Sequence, residues 1–133
     1  MTDSLLHRFV AAGDAGEVDR FDDLLWPDVV VHAPLGLSTV DREAEKEVWQ
    51  KAKATMPDIR HDIRELFQDG QTLIGRAVVT GTLRGEFAGI RADGRSFQID
   101  QVLIAKVRDG KVYELWEIAD TGTLVQQLTE PNR

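Results

Sequence analysis

Hydrophobic positions recur at helical spacing in the first third of the chain and at strand spacing afterwards. Leu5, Leu6, Phe9 and Val10 form one apolar stripe, with Thr2 or Asp3 placed to cap its start. Gly13-Asp14-Ala15-Gly16 interrupts it, and Val18, Phe21, Leu24 and Leu25 form a second stripe that Pro27 ends. The pattern predicts two short helices packed as a pair. Val29-Val30-Val31-His32, β-branched and bounded by Pro27 and Pro34, predicts a short strand, followed by a loop through Gly36 to Thr39. A third helix is predicted from about Asp41 to Thr55, with Ala44, Val48 and Ala52 turned inward, Trp49 a candidate to join them, and Pro57 just past its end.

From Ile59 onward the period changes to that of strands. Ile59 to Phe67, Thr72 to Leu83, Phe97 to Val107 and Val112 to Ile118 are separated by turn chemistry at Asp69-Gly70, Ala92-Asp93-Gly94 and Asp109-Gly110. The glycine-rich run from Gly85 to Gly94 reads as a wide hairpin connection. A short helix near Leu124 to Leu128 follows. Helices, then an antiparallel meander, then a helix give an α+β class. With no linker, repeat or low-complexity tract, one domain over residues 1–133 is expected.

Composition narrows the class and excludes several chemistries. A chain of 133 residues can bury a core, and 42% hydrophobic with 29% charged residues is ordinary for a globular protein. No stretch is long and apolar enough to span a membrane, and Met1-Thr2-Asp3-Ser4 lacks the regions of a signal peptide, so a cytoplasmic location is expected. The absence of cysteine removes disulfides, thiolate nucleophiles and cysteine-based zinc sites. A formal net charge of -7 without a dense basic run argues against nucleic acid. His7 and His61 are isolated, no serine sits in a nucleophile elbow, and no glycine loop cradles phosphate, so neither metal nor cofactor is expected.

What remains is the stretch from Gln98 to Gln127, a hairpin carrying carboxylates into an apolar interior. Burial raises a carboxylate's proton affinity until it can act as a base near neutral pH. The pairing depends on the turn. A three-residue loop, Arg108-Asp109-Gly110, sets Gln101 opposite Glu117 and puts Tyr113 on the face of Glu117. A two-residue loop of Asp109-Gly110 sets Glu117 opposite Val102 instead. Asp120 precedes Thr121-Gly122-Thr123 and the final helix, so helix capping is favoured over catalysis for it.

Gly81-Thr82, Gly85-Glu86-Phe87-Ala88-Gly89-Ile90, Gly94-Arg95, Gln101-Val102, Asp109-Gly110-Lys111-Val112, Trp116-Glu117, Asp120 and Leu124 to Leu128, with the earlier Trp26-Pro27-Asp28 and Met56-Pro57-Asp58-Ile59, resemble the SnoaL-like polyketide cyclases. The resemblance implies the cone-shaped fold of nuclear transport factor 2, a curved antiparallel sheet wrapped around helices with an internal cavity. It implies an acid on the last long strand that abstracts a C–H proton so that the enolate closes a ring, without metal or cofactor. Glu117 takes that position, where those enzymes have aspartate, and Gln101 matches a glutamine lining the same site.

Leu103 and Leu83 stand where the cyclases place histidines, which makes the expected pocket more apolar. Tyr113 is a candidate second donor, Trp49 a candidate wall for a flat ligand, and His32 lies near where relatives place a polar cavity residue. The resemblance also implies a homodimer formed through Gln98, Asp100, Val102 and Ile104. Three functions follow: a cofactor-independent cyclase or isomerase acting on a small apolar or aromatic metabolite, a hydrolase of the epoxide type, and a carrier without chemistry. The hydrolase needs an arginine beside its acids, and Arg76 and Arg84 lie on the wrong face of their strand.

Overall fold

A computed structural model describes residues 4–130 of the chain. The caps expected at Thr2 or Asp3 lie outside the described residues. Helix α1 (Leu5–Asp14) is instead capped by Ser4, whose Oγ accepts the His7 backbone N–H at 3.1 Å. The helix continues through Gly13, one turn past its apolar stripe. The second stripe forms a short 3₁₀ helix, Val18–Asp23, because Leu25 already belongs to a strand.

That strand, β1 (Leu25–His32), is longer than expected and passes through Pro27. It lies at a sheet edge and its register slips between Leu25 and Val30. A residue without an N–H is tolerated in such a place.

Helix α2 (Arg42–Thr55) starts at Asp41, whose Oδ1 accepts the Ala44 N–H at 2.8 Å. Its buried stripe is Glu45, Trp49 and Ala52, whereas Ala44 and Val48 are only half-buried. The face is rotated because Trp49 packs against Gly13 of α1. A Cβ on Gly13 would stand 2.7 Å from Trp49 Cδ2 and nearer still to Cε3. Only glycine lets helix and indole meet there.

Strands β2 (Arg60–Asp69), β3 (Thr72–Phe87), β4 (Ile90–Arg108) and β5 (Lys111–Ala119) complete a five-stranded sheet of order β1-β5-β4-β3-β2, antiparallel except where β1 joins β5. The expected turn at Ala92-Asp93-Gly94 is absent. Strands β3 and β4 run on to a two-residue turn at Ala88-Gly89, with φ of 53° and 81°, and Gly94 is the extra residue of a bulge opposite Leu83 and Arg84. Further bulges fall at Arg64 in β2 and Tyr113 in β5. Each bends its strand, and together they curl the sheet around the helices.

The last hairpin corrects both expected registers. Asp109 and Gly110, with φ of 49° and 82°, form a two-residue turn flanked by Arg108 and Lys111. The bulge at Tyr113 then advances the pairing by one, so that Leu103 faces Glu117 and Gln101 faces Ala119. Relative to the Gln101–Glu117 register the shift is two residues, and a shift of two preserves the face. Gln101 and Glu117 therefore still point to the same side, on a diagonal.

Apolar residues divide into two clusters on that concave side. One is a closed core of α1, the 3₁₀ helix, β1 and the lower sheet, including Leu6, Phe9, Phe21, Leu103 and Leu115. The other, around Met56, Leu83, Phe97, Ile99 and Leu128, lies toward the opposite end. Helix α3 (Thr121–Thr129) closes that end, capped by Asp120, which accepts the Thr123 N–H at 3.2 Å and the Thr123 hydroxyl at 2.7 Å. No helix among the described residues is long and apolar enough to cross a membrane.

Candidate active site

The second cluster does not fill its space. Between the concave sheet, α2 and α3 it leaves a cavity of about 130 Å³, walled by residues such as Met56, Leu83, Phe97 and Leu128. Few side chains bring polar groups to it: His61, Gln101, Glu117, Thr121 and the indole of Trp49.

Glu117 sits where the closed core meets the cavity. Leu103 opposite it belongs to the core, while Ala119 two residues on packs with the cavity cluster. It is half-buried and lines the cavity. Among the described residues no group donates to its carboxylate. Burial away from water, and then the negative charge of Glu45, push its pKa from 4.5 up to about 8.

Glu45 is the carboxylate that sequence reasoning missed. It is 1% exposed, lies in the first turn of α2, and accepts the Thr39 hydroxyl at 2.8 Å and the Trp49 indole N–H at 2.9 Å. Burial raises its pKa and the two donors work against that rise. Its position near the helix N-terminus also favours the anion. Two neighbouring carboxylates with little water resist sharing two charges, and the one without donors holds the proton more tightly. A signal was present in the sequence: Glu45, Trp49, Ala52 and Met56 follow helical spacing, and an indole donor one turn from a glutamate can satisfy it.

Gln101 is 8% exposed, and its Oε1 is buried without a hydrogen-bond partner. Amide oxygen and nitrogen exchange by a flip, so this marks an unpaired amide end beside the cavity. An unpaired buried polar group costs roughly 1–3 kcal/mol.

His61, set aside in the sequence as isolated, also lines the cavity. Its Nδ1 lies 2.7 Å from Asp14 Oδ1, and its backbone N–H donates to Asp14 Oδ2 at 2.6 Å. The two residues are 47 apart, so no local spacing announces the pair.

Of the other expected site residues, Leu83 and Trp49 line the cavity, while Leu103, Tyr113 and His32 do not. Leu103 has the expected face, but the helices pack below Glu117 and enclose it at 1% exposure. Tyr113 is the bulge residue, so Val112 takes the inward place and the phenol ring lies 4.9 Å from the Arg108 guanidinium. His32 pairs with Trp116 across β1 and β5, which turns it outward. There its ring stacks on Trp116 at 4.9 Å and Nε2 lies 2.8 Å from Glu114. Asp120 stands at the surface as the α3 cap, its pKa lowered by the hydrogen bonds with Thr123. Among the described residues no group of three His, Asp or Glu side chains is placed to hold a metal ion.

Residues 4–128 match the SnoaL-like polyketide cyclase family. Among solved structures, IdmH, a candidate polyketide cyclase from Streptomyces antibioticus, is 30% identical over 95% of this chain and 96% of its own, with a TM-score of 0.81. TsrD from Streptomyces laurentii is 25% identical over 94% of this chain and 92% of its own, with a TM-score of 0.84. A Catenulispora acidiphila protein of ketosteroid isomerase-like fold, 14% identical, superposes over 98% of this chain and 96% of its own with a TM-score of 0.83 and shares the fold. Among proteins of curated function, none matches the chain in sequence. The α+β cone with its curved sheet is thus the fold of these relatives.

Proposed function

The chain belongs to the SnoaL-like polyketide cyclase family, and from that premise we propose that Glu117 is the base of a cofactor-independent enzyme acting on a small apolar carbonyl compound. The observation that carries this reading is a carboxylate that has no donor among the described residues and lines an apolar cavity, with its pKa lifted to about 8. A base poised near the working pH contributes roughly 10²- to 10⁴-fold to proton abstraction.

In this mechanism the Glu117 carboxylate takes a proton from a carbon next to the carbonyl, and the C–H electron pair becomes an enolate. The Gln101 amide, diagonal to Glu117 on the same face, donates to the developing oxyanion in this reading. The enolate carbon then bonds to a second carbonyl carbon of the same molecule, whose π electron pair moves to its oxygen; that oxygen takes the proton from Glu117 and restores the carboxylate. Where no second carbonyl is in reach, the enolate recovers a proton at another carbon and the outcome is an isomerisation.

A direct test is deuterium wash-in. Ethyl 2-naphthoylacetate, a flat β-keto ester, is incubated in D₂O with wild-type protein, and exchange of its methylene is followed by NMR. Exchange above the buffer rate that disappears in Glu117→Gln supports the reading, and exchange no faster than buffer contradicts it. Removing one repulsion also has a signed effect. Glu45→Gln lowers the pKa of Glu117, so the pH midpoint of the exchange rate moves to lower pH.

The carrier reading is favoured by Leu83, an apolar cavity residue where the cyclases place a histidine. It predicts tighter binding of the same ester by Glu117→Gln without turnover in either protein. The hydrolase reading has less support, since Arg76 is engaged by Glu65 at 2.6 Å on the exposed side of the sheet. The expected homodimer has support in the outward Val102 and Ile104 and in Ile118 beside them, 55% exposed.

A further inference from the structure

The proposed base accounts for one wall of the cavity and leaves the Asp14–His61 pair unexplained. Asp14 ends α1 and His61 lies near the start of β2, on the strand farthest from β1 and three strand intervals from β5. By strand spacing, His61 and Glu117 stand roughly 14 Å apart across the strands. The registers, which set His61 level with Ile99 and Glu117 level with Leu103, add roughly 13 Å along them; the separation is less through the concave side. The His61 side chain is 9% exposed. Trp49 packs against its ring at 5.0 Å between centroids.

Both Asp14 oxygens are used by His61, one by the backbone N–H and one by Nδ1. An ionised carboxylate only accepts, so the Nδ1 facing it carries the proton. In the neutral ring this leaves Nε2 as an acceptor, and among the described residues Nε2 has no partner. A staple between α1 and β2 needs only the backbone half of this arrangement. The second half fixes the plane and the tautomer of an imidazole at a cavity wall.

We propose that His61, oriented by Asp14, is a binding residue for a ligand hydroxyl at the wall opposite Glu117. The ligand class is then an elongated, flat apolar molecule with a carbonyl at the Glu117 and Gln101 end and a hydroxyl at the other. This deepens the reading of the cavity as a substrate site. It does not depend on Glu117 being a base.

The test uses two probes that differ by one group, 2-acetonaphthone and 6-hydroxy-2-acetonaphthone, with binding measured by calorimetry. One neutral hydrogen bond makes the hydroxylated probe roughly threefold to tenfold tighter for wild-type protein. In His61→Phe the two probes bind equally. Asp14→Asn keeps an acceptor for the backbone N–H but frees the tautomer, so it reduces the preference without erasing ketone binding. It stands in for His61→Phe if that variant does not fold. Glu117→Gln keeps the preference, which separates this proposal from the proton-abstraction reading. A preference for the hydroxylated probe that survives in folded His61→Phe overturns the proposal, as does equal binding, or none, by the wild type.

Discussion

With Glu117 as the proposed base, Glu117→Gln is expected to lower turnover of a carbonyl substrate by roughly 10²- to 10⁴-fold, the share a positioned base supplies. The amide is nearly isosteric and lacks only proton affinity, so substrate binding is expected to survive. Stability moves the opposite way. The pKa of Glu117 is raised above its unfolded value, so the folded protein binds the extra proton between about pH 4.5 and 8. Its favourable contribution is full below the unfolded pKa and is lost as pH rises through the folded one. The wild type therefore becomes less stable across that window. The Gln variant has no such loss, and its melting temperature gains on the wild type as pH rises from 5 to 9. A variant that is inactive and also less stable at pH 9 points to a structural role instead.

Gly13→Ala is expected to be the most damaging single methyl group in the core. Two effects compete. Alanine in a helix gains up to about 1 kcal/mol over glycine in propensity. The added methyl, however, falls inside contact distance of the Trp49 ring, and the atoms it meets are a buried indole rather than the tip of a flexible chain. Overpacking of this kind costs typically 1–3 kcal/mol, occasionally more, and here the overlap is severe. The net expectation is a loss of about 1–2 kcal/mol, or roughly 4–7 °C in Tm for a chain of this size. Because Trp49 also donates to Glu45, the displaced indole loosens that carboxylate. Thermal melts and the pH midpoint of exchange are expected to change together. An unchanged Tm contradicts the close packing of α1 on α2.

Much of the architecture is legible in the sequence because it follows local chemistry. Asp41 and Asp120 stand before helical runs and cap them, and Asp109-Gly110 turns a hairpin with both residues at positive φ. The register was harder, since it depends on a bulge at Tyr113 that alternation alone does not mark. Both expected pairings failed, yet Gln101 and Glu117 kept a common face because the failure was an even number of residues. Tyr113, His32 and Leu103 lost their expected places for related reasons, a bulge, a parallel edge pairing and a core that rises under the cavity. Glu45 and His61 were missed because a buried polar side chain reads as a surface one until its partners are known. Those donors and partners come from Thr39, Trp49 and Asp14, on other turns and other elements.

Glu117 is a carboxylate whose proton an apolar cavity holds until about pH 8. Side-chain ¹³C labelling of glutamate, with the Glu117 carboxyl resonance assigned by its loss in Glu117→Gln, reads this directly in the ligand-free protein. The expected titration midpoint is about 8, moving lower in Glu45→Gln. A midpoint near the ordinary value of 4.5, unaffected by Glu45→Gln, contradicts the account.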